Sequence, residues 1–285
     1  MKQMFLGLML PLIAVVGTWA CPEPVARDYT QYVNPFIGTG GHGHVFLGAN
    51  VPFGHIQAGP TQKKQGWDWC SGYHYSDSII IGFGQLHLSG TGIGDLGDIA
   101  LLPVTKSNVR EVKFSHKAEY ATPGYYAVTL ANGVRVELTA TQRTAFHRYT
   151  FPADARQEQV VVDLAQGVGW DKMTACTLQQ EGQNTIVGSR FSTGWAKDQR
   201  VFFVAEFSQP ITHRTKEGDS LSVLSFEPTG QPLMVKVGIS SVSIDNARLN
   251  LQQESPGWNF KTMVSEAKFA WNKELEKVAI ETDNA

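Results

Sequence analysis

The chain has 285 residues, an apolar fraction of 42% and a formal net charge of −2, from 24 basic and 26 acidic residues. That composition supports a real buried core, in one large all-β domain or two smaller ones. With no basic run, it excludes an electrostatic footprint for nucleic acid or an anionic membrane surface.

The first element is an apolar run from Met4 to Val16, after Lys2 and before Gly17-Thr18-Trp19-Ala20-Cys21. It reads as a secretory signal over residues 1–20, too short and too terminal for a spanning helix. Two readings stay open at Cys21. One is a lipoprotein cut before Cys21 and lipidated on it; the other is secretion with cleavage after Ala20. Bulky Trp19 makes a poor lipoprotein box, yet a cysteine at this junction is unusual. Either way the chain is exported, to a bacterial periplasm or cell surface, with a lipid anchor in the first reading. Residues 21–28 read as a short tether. Cys70 and Cys176 read as free thiols, because two cysteines make no disulfide framework.

Asn34 to Asp98 forms a glycine-rich block: NPFIGTGGHGHVFLGANVPFG, then GWDWCSGYHYSD, then GQLHLSGTGIGDLGD. Fifteen of the 28 glycines fall between Gly38 and Gly97, with five of the eight histidines. Glycine at this density disfavours helices and strands. Interleaved with His, Trp, Tyr and Asp, it predicts loops that place polar and aromatic groups for binding.

From about Tyr120 the chain becomes a train of strand signals. Gly124–Leu130 alternates, Ala131-Asn132-Gly133 turns, and Val134–Ala140 returns, a hairpin signature. Further runs lie at Ala145–Phe151, Gln159–Leu164, Thr185–Phe191, Arg200–Phe207, Ser220–Phe226 and Leu233–Ser241. No amphipathic helix separates them, so the fold class is mainly β, an antiparallel β-sandwich followed by C-terminal linker helices. Asp245 is positioned to cap a helix through Glu254, and Ser255-Pro256-Gly257 breaks it. A second helix is predicted from Phe260 to about Ile280, with Met263, Val264, Ala267, Ala270, Trp271, Leu275 and Val278 on its apolar stripe.

Several motifs fail on context. Gly38-x-Gly40-x-x-Gly43 and Gly92-x-Gly94-x-x-Gly97 match the dinucleotide pattern by letter, but no helix follows either, and Asp98-Ile-Ala-Leu-Leu-Pro reads as a strand. His42-x-His44 resembles a metal-ligand pair, and Asp95 and Asp98 could add carboxylates. No third ligand lies at a convincing spacing, so hydrogen bonding is the commoner fate and no metal ligand is assigned. Ser71-Gly72 and Ser89-Gly90 lack the nucleophile-elbow context. Cys70 has no base that the sequence can place. Asp163, Asp171 and Asp198 have no pairing argument.

The stretch from Gly66 to Tyr75 suits a sugar. Aromatic rings cover the apolar faces of a pyranose, and Asp, His and Asn bond its hydroxyls. The competing reading buries the tryptophans in the core: on an alternating strand Trp67 and Trp69 would face one way.

YVNPFIGTGGHGH, VPFG, GWDWCSGYHYSD, HLSGTG and GDI resemble the N-terminal domain of glycoside hydrolase family 92, the calcium-dependent exo-α-mannosidases. GISSVSIDNARLNL is similar to the end of that domain, so the resemblance runs from about Tyr29 to about Ile280. It implies a β-sandwich over residues 29–243 and a helical linker over 244–285, leading to an (α/α)6 catalytic domain absent from this sequence. It implies an inverting mechanism with a carboxylic acid, a carboxylate base and a calcium ion at the sugar hydroxyls, whose protein groups come mainly from that catalytic domain. No catalytic residue is therefore expected here, and the chain alone is expected to be inactive. The implied partners are a mannose-containing glycan and the catalytic domain of the same protein, with no nucleic acid. Trp67, Asp68 and Trp69 are the expected sugar contacts, with His42, His44 and His87 as polar contacts or loop organisers. The alternative is a free-standing carbohydrate-binding sandwich. In that case the apolar stripe of the last helix should be packed on the sandwich, whereas in an enzyme fragment it should be partly exposed.

Overall fold

The computed structural model describes residues 27–280 apart from 166, 168 and 169. The signal segment, Cys21 and the last five residues of the helical segment lie outside the described residues. Among the described residues, no helix is long and apolar enough to cross a membrane.

The strands in chain order are β1 (Gly59–Thr61), β2 (Ile79–Ile80), β3 (Gly82–Gly84), β4 (Ala100–Val104) and β5 (Val112–Thr122). The hairpin strands follow as β6 (Tyr125–Leu130) and β7 (Arg135–Ala140), then β8 (Thr144–Thr150), β9 (Glu158–Asp163) and β10 (Lys172–Glu181). The last five are β11 (Thr185–Thr193), β12 (Gln199–Phe207), β13 (His213–Glu217), β14 (Leu221–Phe226) and β15 (Leu233–Ser240). They form a six-stranded sheet, β1-β3-β4-β9-β14-β13, and a nine-stranded sheet, β10-β11-β12-β15-β8-β7-β6-β5-β2. The inner faces of the two sheets share one core, to which Phe83, Leu101 and Val160 contribute from one and Leu138, Tyr149 and Phe203 from the other.

Alternation along the strands decides which face is which. On β8, Ala145, His147 and Tyr149 point into the sandwich, while Phe146 and Arg148 point outward to a helix. The β6–β7 turn is tight: Gly133 donates to the Leu130 carbonyl at 2.9 Å with φ of +82°, a backbone state open to glycine. β9 is buried along its whole length because it lies mid-sheet between β4 and β14.

The outer face of the nine-stranded sheet is covered by two helices, α1 (Ile244–Glu254) and α2 (Phe260–Leu275). Ser243, not Asp245, caps α1, its side chain accepting from the Asn246 N–H at 3.1 Å. Asp245 instead sits in the first turn, where a carboxylate favours the helix dipole. Ala247 and Leu251 pack on Val187 and Val204. Gly238 makes this approach fit, since a Cβ there would lie 2.8 Å from Leu251 Cβ and collide with the Ala247 carbonyl.

Asn259 caps α2, which packs Phe260 and Met263 on Phe146 beside Tyr125 and Trp258. Its stripe is buried at Phe260, Met263 and Ala267, half-buried at Val264, Ala270, Trp271 and Leu275, and exposed at Val278, and Trp271 Nε1 donates to the Asn50 carbonyl at 2.8 Å. The packing does not separate the two readings, because α2 and β6–β8 cover each other whatever follows. The large exposed residue is Phe269, on the side of α2 opposite Ala267. α2 ends before the predicted Ile280, and Val278 and Ile280 are exposed.

Candidate functional site

The glycine-rich block supplies β1 and β3 at one edge of the six-stranded sheet and β2 at one edge of the nine-stranded sheet, with loops between them. The 38–45 loop folds back on itself: Val45 donates to the Gly38 carbonyl at 3.1 Å and Gly43 to the Gly40 carbonyl at 3.3 Å. Gly43 lies so close to Gly38 that a Cβ would collide with its backbone. The return sends the His42 imidazole outward and leaves that of His44 largely covered. His44 takes a φ of +55°, strain that a non-glycine residue carries only where the surroundings impose it.

Trp67, Asp68 and Trp69 form one 3-10 turn rather than a strand, so the tryptophans do not share a face. Trp67 is 55% exposed, and its Nε1 donates to the Gly92 carbonyl at 2.9 Å. Its ring meets that of His44 edge-on, with centroids 4.4 Å apart. Asp68 Oδ1 lies 2.7 Å from His42 Nδ1 and 2.9 Å from His44 Nε2. Hydrogen bonding from His42, then from His44, holds the Asp68 carboxyl below its ordinary pKa. The His42 side chain is 81% exposed and that of His44 9%. The structure thus joins four of the six predicted contacts into one cluster: an exposed indole face beside a carboxylate and two imidazoles.

The other two lie inside. Trp69 is half-buried, stacked on His74 at 4.3 Å, with Nε1 donating to Asp77 at 3.1 Å. His87 is buried between Phe46, Thr61 and Gln57. Its Nδ1 donates to the Gln57 carbonyl at 2.8 Å, so Nε2 accepts from the Thr61 hydroxyl at 2.9 Å. Burial pushes its pKa down to about 4. Both ring nitrogens are taken, so His87 organises the loops and offers no atom to a ligand; Trp69 does the same through Asp77.

The sequence supplies no third partner for His42 and His44, but the fold does, and it is Asp68. Asp95 and Asp98 serve elsewhere. Asp95 is buried and accepts from the Trp195 and Ala196 N–H groups and from Gln199 at 2.7 Å. Asp98 lies 2.7 Å from the buried Arg190, which also pairs with Asp171 at 2.6 Å. Burial nevertheless raises the Asp98 carboxyl to about 7, ahead of the opposing pull of Arg190. These pairs tie the 92–98 loop to β11 and β12. Asp198 makes an exposed pair with Arg200, and Asp163 accepts from the Ala165 N–H. Cys70 and Cys176 are free; burial pushes the Cys70 thiol up, away from nucleophile chemistry.

Two residues went unseen in the sequence. Trp170 lies against Gly94, where a Cβ would collide with its ring, and Lys64 Nζ sits 4.2 Å above that ring. Trp195 is 78% exposed, beside Asp95. Each follows a glycine, as Trp67 does, a signal weakened by Gly257-Trp258, whose indole packs beneath α2.

Comparison with known proteins agrees with this architecture. Residues 32–240 match the glycosyl hydrolase family 92 N-terminal domain, and residues 246–285 match the glycosyl hydrolase family 92 catalytic domain. A family GH92 α-mannosidase of Bacteroides thetaiotaomicron superposes with a TM-score of 0.84 at 32% identity, over 90% of this chain and 39% of that one. A GH92 inverting mannosidase of the same species gives 0.76 at 27%, over 89% of this chain and 37% of that one. An uncharacterized secreted glycosidase of Arthroderma benhamiae is 26% identical over 90% of this chain and 39% of its own length. The chain therefore spans about two fifths of these relatives. A domain match over most of its length, with the likeness of its fold to solved members, places the protein in glycosyl hydrolase family 92, with residues 32–240 matching its N-terminal domain and residues 246–285 matching its catalytic domain.

Proposed function

We propose that this chain is the sandwich part of an exported α-mannosidase acting on mannose-containing glycans, and that Trp67, Asp68, His42 and His44 build one wall of its sugar pocket. The observation that carries the reading is the exposed Trp67 face beside a carboxylate held by two imidazoles. The indole would cover an apolar face of the pyranose, and Asp68 and His42 would bond its hydroxyls. Trp69 and His87 hold the surrounding loops. The likeness to solved α-mannosidases supports the substrate class, and the signal-like N-terminus with a relative described as secreted supports export.

The reading includes inversion, with one carboxyl group protonating the leaving oxygen while another activates water. The cluster holds a single carboxylate, Asp68, engaged by two imidazoles, so neither role is given to a residue of this chain. Both are assigned to the catalytic domain whose model residues 246–285 match, and that match favours the enzyme over a free-standing binding module. Calcium takes about six to eight oxygen ligands. The cluster offers two nitrogens and one carboxylate oxygen, which does not fit that ion, so calcium is expected to be held outside this domain.

Saturation-transfer NMR with α-1,2-mannobiose tests the reading. Transfer to the sugar should appear with the parent chain and fall at least severalfold in Trp67→Ala, while Trp271→Phe, behind the sandwich, keeps it. Equal transfer in parent and Trp67→Ala would overturn the assignment.

A further inference from the structure

We propose that His42, His44 and Asp68 form a binding site for one divalent cation of the zinc class. The inference does not rest on the sugar reading, since it concerns the cluster's own donor chemistry.

The three candidate donor atoms, one from each residue, lie within 4.8 Å of one another. Zinc binds imidazole nitrogen and carboxylate oxygen at about 2.0–2.2 Å, which puts neighbouring ligands roughly 3.0–3.4 Å apart. Asp68 Oδ1 already stands 2.7 and 2.9 Å from the two nitrogens, so small side-chain rotations open the required space. Two imidazoles with one carboxylate suit zinc, cobalt or nickel and not calcium or magnesium.

The frame is rigid where a metal site needs it. His44 is held by its loop and by the Trp67 ring, and Trp67 is pinned through Gly92. His42 is the exposed member, which leaves outward positions for water or a hydroxyl ligand, as in a site with open coordination.

The proton balance is simple. In the metal-free state His42 Nδ1–H and His44 Nε2–H each donate to Asp68. On binding, each proton moves to the other ring nitrogen, and the cation takes the vacated lone pair. With both imidazoles neutral and Asp68 ionised, no net proton is released, and the cluster's charge passes from −1 to +1.

The test uses the full chain, stripped with EDTA and desalted. Cobalt(II) should bind at one equivalent with a dissociation constant of tens of micromolar or tighter. The visible bands should be those of a nitrogen–oxygen site, without the near-ultraviolet thiolate band that Cys70 or Cys176 would produce. Zinc should displace cobalt, and calcium at millimolar concentration should not. His42→Ala and Asp68→Asn should each weaken binding about tenfold or more. His213→Ala, on exposed β13, should leave it unchanged. Because His42 is exposed, its replacement leaves the fold intact, which circular dichroism verifies. No saturable binding, a thiolate band, or affinity that survives both substitutions would overturn the proposal.

Discussion

Acidification should weaken the sandwich through His147, and the size follows from its surroundings. His147 is buried between the sheets, with Nε2 2.9 Å from Gln85 Oε1 and Nδ1 2.8 Å from the Tyr149 hydroxyl. The Gln85 amide nitrogen donates to the Phe83 and Ile99 carbonyls, so its oxygen accepts, and His147 carries its proton on Nε2. Burial holds its pKa near 3, against an ordinary 6.5. As pH falls below 6.5 the unfolded chain takes the proton first. This contribution to stability is complete above about 6.5 and is lost progressively toward about 3. Between pH 7.5 and 5 the loss is about 2 kcal/mol for His147, with a similar loss for buried His87. Asp98, raised to about 7 by burial, works in the opposite sense, since the folded state takes up its proton on acidification. The clean observable is therefore the difference between the parent and His147→Gln in urea unfolding at both pH values. The variant loses some stability at pH 7.5, but its further loss on going to pH 5 should be smaller by about 2 kcal/mol. An unchanged pH response in the variant would refute the claim that His147 is buried neutral.

Arg190→Met leaves Asp98 and Asp171 without their shared guanidinium and should cost about 3–5 kcal/mol at pH 7.5. Lowering the pH to 5, which protonates the orphaned Asp98, should recover part of this, and urea unfolding at the two pH values reads both effects. Gly238→Ala pushes a methyl into the α1 backbone and should destabilise by roughly 1–3 kcal/mol, visible as a lower urea midpoint. A midpoint equal to the parent's would mean α1 does not pack as described. The purified chain with calcium should release no mannose from α-1,2-mannobiose, and calcium-dependent turnover would place catalytic groups in the sandwich.

Much of the fold was legible because buried strands advertise themselves. β6 to β9, β11, β12, β14 and β15 follow Val- and Phe-rich runs bounded by turn residues. Of the strands that escaped notice, β1, β2 and β3 are short buried pieces inside the glycine-rich block, and two others are polar. β10 and β13 are sheet edges with mostly exposed residues, and charge on an edge is how sheets avoid further pairing. β5 carries an irregularity between Phe114 and Glu119 that breaks its alternation. The site was half legible. Motif composition marked Trp67 and the histidines, but the 3-10 turn that separates Trp67 from Trp69 has no periodic signature. Asp68 meets His44 across 24 residues of sequence, a contact made only by the folded loops. Burial of His87 likewise depends on Phe46 arriving from another loop and Thr61 from β1.

The decisive measurement is a crystal structure of the chain soaked with α-1,2-mannobiose. A mannose ring should lie on the exposed face of Trp67, with hydroxyls in hydrogen-bond reach of Asp68 and His42. A sugar bound elsewhere with Trp67 left in solvent would contradict it.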